Sequence, residues 1–195
     1  MSARRLIKIA ITPETAVLGE TRFIRCILDA GWDYIHLRRP TASITEMRRL
    51  IESIPQQYHS QLKLHGHFEL THEFNLGGLH LNHRCPMPPT LYKGNISRSC
   101  HSLQEIASSE NCEYLTLSPI YDSISKHGYK AAFTDEQLKN IPNDKNVIAL
   151  GGITPERIKD LKQYPFAGFA MLGYLFENAD LQDLKSKLRI IDKSL

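Results

Sequence analysis

A single closed (β/α)₈ TIM barrel, compact and with some helices shortened, is the α/β fold that this sequence predicts. Three observations predict it. Short apolar runs rich in β-branched residues recur along the whole chain, each of strand rather than helix length. Helical patterns lie between several of them, and strand–helix alternation marks a parallel sheet. Eight such runs in one unbroken alternation favour closure into a barrel over an open sheet. At 195 residues the chain is short for that fold, so some helices must be short or absent.

The elements follow in order. Leu6–Thr12 is the first strand. Thr21–Ala30 then carries Phe23, Ile24, Ile27 and Leu28 at helical spacing and stops at Gly31. Tyr34–Arg38 is the second strand. Ser43 caps a helix holding Ile44, Met47, Leu50, Ile51 and Ile54, which ends at Pro55. Leu62–His65 and Gly78–Leu81 are the third and fourth strands. Between Asn82 and Asn95, Pro86, Pro88 and Pro89 forbid a normal helix. Ile96–Cys100 is the fifth strand, and Ser102 caps a helix over Leu103–Ser109. Tyr114–Ser118 and Val147–Leu150 are the sixth and seventh strands. Thr154-Pro155-Glu156 is a helix start: Thr accepts from free N–H groups, Pro suits the first turn and Glu complements the dipole. Gly168–Leu172 is the eighth strand, and Asp180 caps a last helix from Leu181 to Ile191. No linker or composition shift breaks the chain, so residues 1–195 read as one domain.

Composition narrows the function classes. Apolar residues make up 42% and charged residues 23%, ordinary globular usage. Lys and Arg total 24 against 21 Asp and Glu, a net charge of +3. That balance, without a basic run interleaved with aromatics, argues against nucleic acid as a partner. No apolar stretch approaches the roughly 20 residues that span a bilayer. Arg4-Arg5 precede an apolar run that Lys8 interrupts, so a first strand is expected there rather than a secretory signal. Cys26, Cys85, Cys100 and Cys112 lack metal-finger spacing and are expected to be reduced and mostly buried, as in a cytoplasmic protein. A homo-oligomer stays open.

In such barrels the reactive face is the C-terminal rim of the strands. By this assignment Thr12, His36, Arg38, His65, His80, Asn82, Ser99, His101 and Ser118 reach it, and His127 stands in the following loop. Histidines gathered there fit proton transfer. A metal site is not expected, because no His-x-x-x-His pair falls on a helix and the rim lacks carboxylates. Gly151-Gly152 before a helix start lets backbone N–H groups approach an oxyanion, and Gly168 and Gly173 would complete a phosphate cup. The loop from Ser118 to Lys130 combines hydroxyls, an ammonium and Gly128, a composition suited to gripping an anion.

Several stretches in this order resemble the thiamin phosphate synthase/thiazole tautomerase family. They are Gly78-Leu79-His80-Leu81, Ile96-Ser97-Arg98-Ser99-Cys100-His101-Ser102, the loop Tyr114–Lys126, Ile148-Ala149-Leu150-Gly151-Gly152-Ile153 and Gly168-Phe169-Ala170. The resemblance implies a thiamin-biosynthesis transferase that couples hydroxymethylpyrimidine diphosphate with thiazole phosphate and releases diphosphate. Its partners would be small phosphorylated heterocycles. It implies phosphate and substrate contacts at Ser99, Ser123, Ser125, Gly151, Gly152, Leu172 and Gly173, and cationic groups at Arg38 and Lys126. It implies Mg²⁺ if synthase chemistry is retained, and otherwise no cofactor.

The chain departs from that pattern in places. The family's Gln-x-Arg-x-Lys run reads His36-Leu37-Arg38-Arg39-Pro40 here. Its Asn-Asp pair aligns with His65-Gly66, and its second metal-binding Asp falls near Cys85. No residue is therefore assigned to a metal. The tautomerase histidine is replaced by Pro119. His36 and His65 are expected to supply proton transfer. A metal-free thiazole tautomerase-like isomerase and a non-catalytic binder of thiazole or thiamin phosphates are the alternatives to the synthase.

Overall fold

The computed structural model describes residues 5–122, 130–177 and 180–195. Eight parallel strands close into a barrel in sequence order, β1 next to β8. They are β1 Ile7–Ile11, β2 Tyr34–Leu37, β3 Leu62–Leu64, β4 Gly78–Leu81, β5 Ile96–Cys100, β6 Tyr114–Leu117, β7 Val147–Leu150 and β8 Gly168–Met171. The helices are α1 Glu20–Asp29, α2 Ile44–Ser53, α3 Leu70–Glu73, α4 Leu103–Ser108, α5 Asp135–Lys139, α6 Pro155–Leu161, α7 Gly173–Phe176 and α8 Leu181–Asp192. A 3₁₀ turn, Gln56–Gln61, precedes β3. No helix among the described residues is long and apolar enough to cross a membrane.

Local chemistry sets the ends of these elements. α1 stops because Gly31 takes φ +75°, a left-handed step that a side chain disfavours. α2 starts in a full capping box: Ser43 Oγ accepts from the Glu46 N–H, and Glu46 accepts from the Ser43 N–H (2.7 Å). Thr134 and Gln137 build the same box for α5, and Asp180 caps α8 by accepting from the Gln182 N–H at 2.6 Å. The expected Thr154 cap is not made by its side chain. The Thr154 hydroxyl and the Glu156 backbone together hold the Glu156 carboxyl below the usual range. The connection from β4 to β5 carries no helix, as its prolines require. The four cysteines are free, but only Cys100 is buried. The other three are half-buried, a correction to the expectation of mostly buried thiols.

Alternation along the strands separates two packing regions. Outward residues such as Ile35, Leu37, Leu79, Leu115, Leu117 and Phe169 pack under the apolar faces of the helices. Trp32 meets Phe169 edge-on at 5.9 Å. Inward residues fill the lumen, and the lumen is chemically divided. β7, β8 and β1 contribute Ile148, Ala170, Ile9 and Ile11. β2 through β6 contribute His36, Lys63, His80, Ser97, Tyr114 and Thr116, all buried. A barrel with a polar half inside must satisfy those groups internally. Most are satisfied, as described next. Gly168 lies at the start of β8, where a Cβ would collide with the backbone of Ile7. It is a packing glycine, not part of a phosphate cup.

Candidate active site

A pocket of about 640 Å³ opens at the C-terminal rim, within the size range of small-molecule sites. Arg38, His65, Ser99, Gly151, Gly152, Leu172 and Gly173 all line it, together with Arg39, His67, His80, His83, Arg84 and His101. Seven of the expected site residues thus come together in one cavity. Ser123, Ser125 and Lys126 lie outside the described residues. His36 does not line the pocket: it is fully buried in the lumen below it. Its expected place at the rim is corrected, and any part it takes in proton transfer runs through His65.

The glycine side of the pocket is built by backbone strain. Gly151 and Gly152 follow β7 with φ +98° and +65°. A Cβ on Gly151 would stand 2.9 Å from Pro119 Cα, and one on Gly152 2.8 Å from Tyr121 Cβ. Only glycine fits both positions. Arg157 pins this turn. Its Nη1 donates to the Gly152 carbonyl at 2.6 Å, and its guanidinium lies over the Tyr121 ring. Across the same pocket, Leu172 and Gly173 begin α7, whose first N–H groups have no partner within the helix.

The opposite side is cationic. Thr12 Oγ1 accepts from the Arg38 N–H at 2.9 Å and sets the direction in which that side chain leaves β2. Arg38 Nη1 then meets Glu14 at 2.6 Å in an exposed pair that solvent screens. Arg39 is tied down more firmly, donating to Glu20 and to the carbonyls of Pro13 and Thr15. Burial raises the Glu20 carboxyl, and Arg39 counters that rise.

Between these sides, three histidines form the floor. His36 Nδ1 and His65 Nε2 are 2.9 Å apart, and His36 Nε2 meets the Tyr114 hydroxyl at 2.6 Å. His80 Nδ1 lies 2.9 Å from Ser97 Oγ, and His80 Nε2 lies 2.9 Å from Ser99 Oγ. Ser97 Oγ donates to the Leu79 carbonyl at 3.2 Å, so it accepts from His80 Nδ1–H. That assigns the His80 tautomer and leaves the Nε2 lone pair toward Ser99 and the pocket. Burial holds all three imidazoles neutral. His36 and His65 fall well below the usual range, first by desolvation and then by their neighbours. His80 is pushed down to about 3, by desolvation and then by the Lys63 charge. Lys63 itself has no exposure. It donates to Glu113 at 2.6 Å and lies over the rings of Tyr34 and Tyr114.

Mg²⁺ fits poorly here. It takes oxygen ligands, usually including carboxylates, and no Asp or Glu among the described residues lines the pocket. The two positions at which the resemblance expects metal-binding aspartates do face one another: a Cβ on Gly66 would stand 3.9 Å from Cys85 Sγ. Neither carries a carboxylate.

A closed parallel barrel with a pocket at its C-terminal rim, between a glycine-built turn and a cationic wall, has the architecture of a TIM-barrel enzyme. The particular family follows from comparison. The sequence profile of the thiamine monophosphate synthase family matches residues 9–175. The crystal structure of thiamine phosphate pyrophosphorylase from Bacteroides thetaiotaomicron is 32% identical, covers 97% of each chain and superposes with a TM-score of 0.86. The thiamine-phosphate synthase of Pyrococcus abyssi is 24% identical over 98% of this chain and 97% of its own. That of Limosilactobacillus reuteri is 22% identical over 65% of this chain, and the match spans 63% of the relative's length. The chain belongs to the thiamine monophosphate synthase family, and thereby to the transferases of thiamin biosynthesis.

Sequence reasoning missed two features of this site. His80 belongs to the rim residues but not to the expected site residues, since a single histidine serves as readily for a structural hydrogen bond. Lys63 was read only as part of a strand. Its period-2 position between Leu62 and Leu64 was the available sign that it points into the lumen.

Proposed function

We propose that this chain forms thiamin phosphate from hydroxymethylpyrimidine diphosphate and thiazole phosphate, releasing diphosphate. One observation carries the reading beyond family membership: the glycine turn and the arginine wall share a single cavity. The thiazole phosphate would sit at Gly151–Gly152 and Gly173, where backbone N–H groups can approach an oxyanion. The diphosphate would face Arg38, Arg39 and Arg84, and Ser123, Ser125 and Lys126 keep the thiazole-phosphate contacts that the resemblance implies for them. As the bond to diphosphate breaks, negative charge grows on the leaving group and positive charge on the pyrimidine methylene. Fixed guanidinium groups stabilise the first. The neutral imidazole floor adds no charge against the second. Ser99, held against His80, would orient the thiazole side of the pair. Magnesium is given no step, because the described residues offer it no carboxylate. Residues 1–195 would act as one domain, in the cytoplasm.

The test supplies the purified chain with both substrates, with and without added Mg²⁺, and follows thiamin phosphate. Product that disappears in Arg38→Ala supports the reading; no product in either condition overturns it. A second reading is favoured by the neutral imidazoles that open to the pocket at His65 and His80. It is a metal-free isomerisation of the thiazole phosphate itself, with His65 moving the proton. Tautomer conversion in the absence of the pyrimidine substrate would select it.

A further inference from the structure

His36, His65 and His80 come from β2, the end of β3, and β4, and one ring nitrogen of each lies within 4.8 Å of those of the other two. We propose that this trio is a three-histidine site for a divalent transition-metal ion, zinc above all. The inference does not rest on the proposed transferase reaction.

The donor chemistry selects the ion. Three imidazole nitrogens and no carboxylate suit a borderline cation such as Zn²⁺ and not Mg²⁺. Two of the three imidazoles have their outer nitrogen held, as metal-bound histidines do, here by hydroxyls. Tyr114 holds His36 Nε2 at 2.6 Å, which turns His36 Nδ1 toward the other two rings. Ser97 holds His80 Nδ1 at 2.9 Å, which leaves His80 Nε2 as the acceptor on the pocket side, where a metal ion would take the place of its 2.9 Å contact with Ser99 Oγ. Asn82 Nδ2 donates to the carbonyls of His65 (2.8 Å) and His80 (3.1 Å), fixing the strand ends that carry them. His36 and His65 already stand 2.9 Å apart. A tetrahedral zinc site needs nitrogen–nitrogen edges of about 3.3 Å. Every edge of the trio lies within 4.8 Å, so none has to close by more than about 1.5 Å; His65 is the one member that is not fully buried. His65 and His80 both line the pocket, so the fourth position opens to it and would take water or an anionic oxygen. The cation below the site, Lys63, is paired with Glu113 at 2.6 Å, which offsets its repulsion of a metal ion.

Zinc chloride is titrated into chelator-stripped protein against a competing chromophoric chelator, and Co²⁺ serves as a spectroscopic stand-in. The expected result is one zinc per chain and the intense visible bands of tetrahedral cobalt. His65→Gln and His80→Gln should each weaken zinc by about 100-fold or more, beyond the roughly 10–100-fold that outer-shell partners cost. His72→Gln, on the exposed face of α3, should not. The proposal is overturned if the wild-type chain binds no zinc, if cobalt gives only weak octahedral bands, or if binding survives both trio substitutions. The cobalt spectrum uses the wild-type chain alone, so it decides the matter even if a variant fails to fold. No outcome depends on either thiamin precursor.

Discussion

Replacing Glu113 by Gln removes the only carboxylate that the described residues place against the Lys63 ammonium. Lys63 has no exposure, whereas Glu113 retains 30%. Removing one member of a fully buried pair costs about 3–5 kcal/mol, because the remaining charge stays out of water. Solvent reaches Glu113, so about 2–3 kcal/mol is expected here. In a chain of this size that is a fall in Tm of about 5–10 °C. Tyr34, which donates to Glu113 at 2.5 Å, loses a charge-assisted bond in the same variant. The pH dependence has a definite sign. Desolvation lowers the Lys63 pKa below 10.5, and Glu113 partly raises it. Without Glu113 it falls further. Between the folded pKa and 10.5 the unfolded chain then binds more protons than the folded one, so stability rises with pH. The gap between wild type and Glu113→Gln must therefore be widest at neutral pH and narrow as pH approaches 10.5. Denaturant unfolding across that range measures it. The double variant Lys63→Met/Glu113→Gln should recover at least half of the loss, since no charge is left stranded. A Glu113→Gln cost below about 0.5 kcal/mol, or a gap that widens with pH, refutes the reasoning.

Other predictions concern the pocket and its supports. Gly152→Ala places a Cβ at φ +65° and against Tyr121; it should cost about 2 kcal/mol and cut kcat/KM by about 10–100-fold, read in steady-state kinetics. Arg38→Ala should lower kcat/KM by about 100–1000-fold with Tm nearly unchanged, because its pair with Glu14 is exposed. Ser43→Ala removes the α2 capping box at a residue that does not line the pocket; denaturant unfolding should show a loss of about 1 kcal/mol, with kcat/KM little altered.

Much of the fold was legible because each strand is a short apolar run and punctuation surrounds it. Gly78–Leu81, Ile96–Cys100 and Val147–Leu150 emerged with the bounds read from the sequence. Gly31, Ser43, Ser102 and Asp180 marked helix ends correctly because their signals are local hydrogen bonds or backbone dihedrals. The one-turn helix α3 lacked a capping side chain and gave no such signal. α5 does carry one, the Thr134–Gln137 box, but the helix it opens is only five residues long, too short for an apolar period to show. Thr154 has the residue type of a cap, but its side chain makes no cap hydrogen bond; residue type alone does not fix the rotamer that a cap needs.

The pocket was legible only in part. Strand-end residues identify the rim, so Arg38, His65, Ser99, Gly151 and Gly173 were found together. The depth of a residue below the rim depends on barrel stagger, which placed His36 a layer lower than expected and beneath His65. Paired histidines on one helix (His-x-x-x-His) are the metal signal most easily read from a sequence, and this chain has none. Three strands supplied the cluster instead, and neighbours around a barrel wall lie far apart in sequence.

The account depends most on where a phosphorylated thiazole binds. A crystal structure of the chain soaked with thiazole phosphate measures that directly. Phosphate oxygens should lie within hydrogen-bonding distance of the Gly152 and Gly173 N–H groups, with the ring turned toward Ser99. Phosphate bound elsewhere, or a ring seated away from Ser99 and His80, would contradict it.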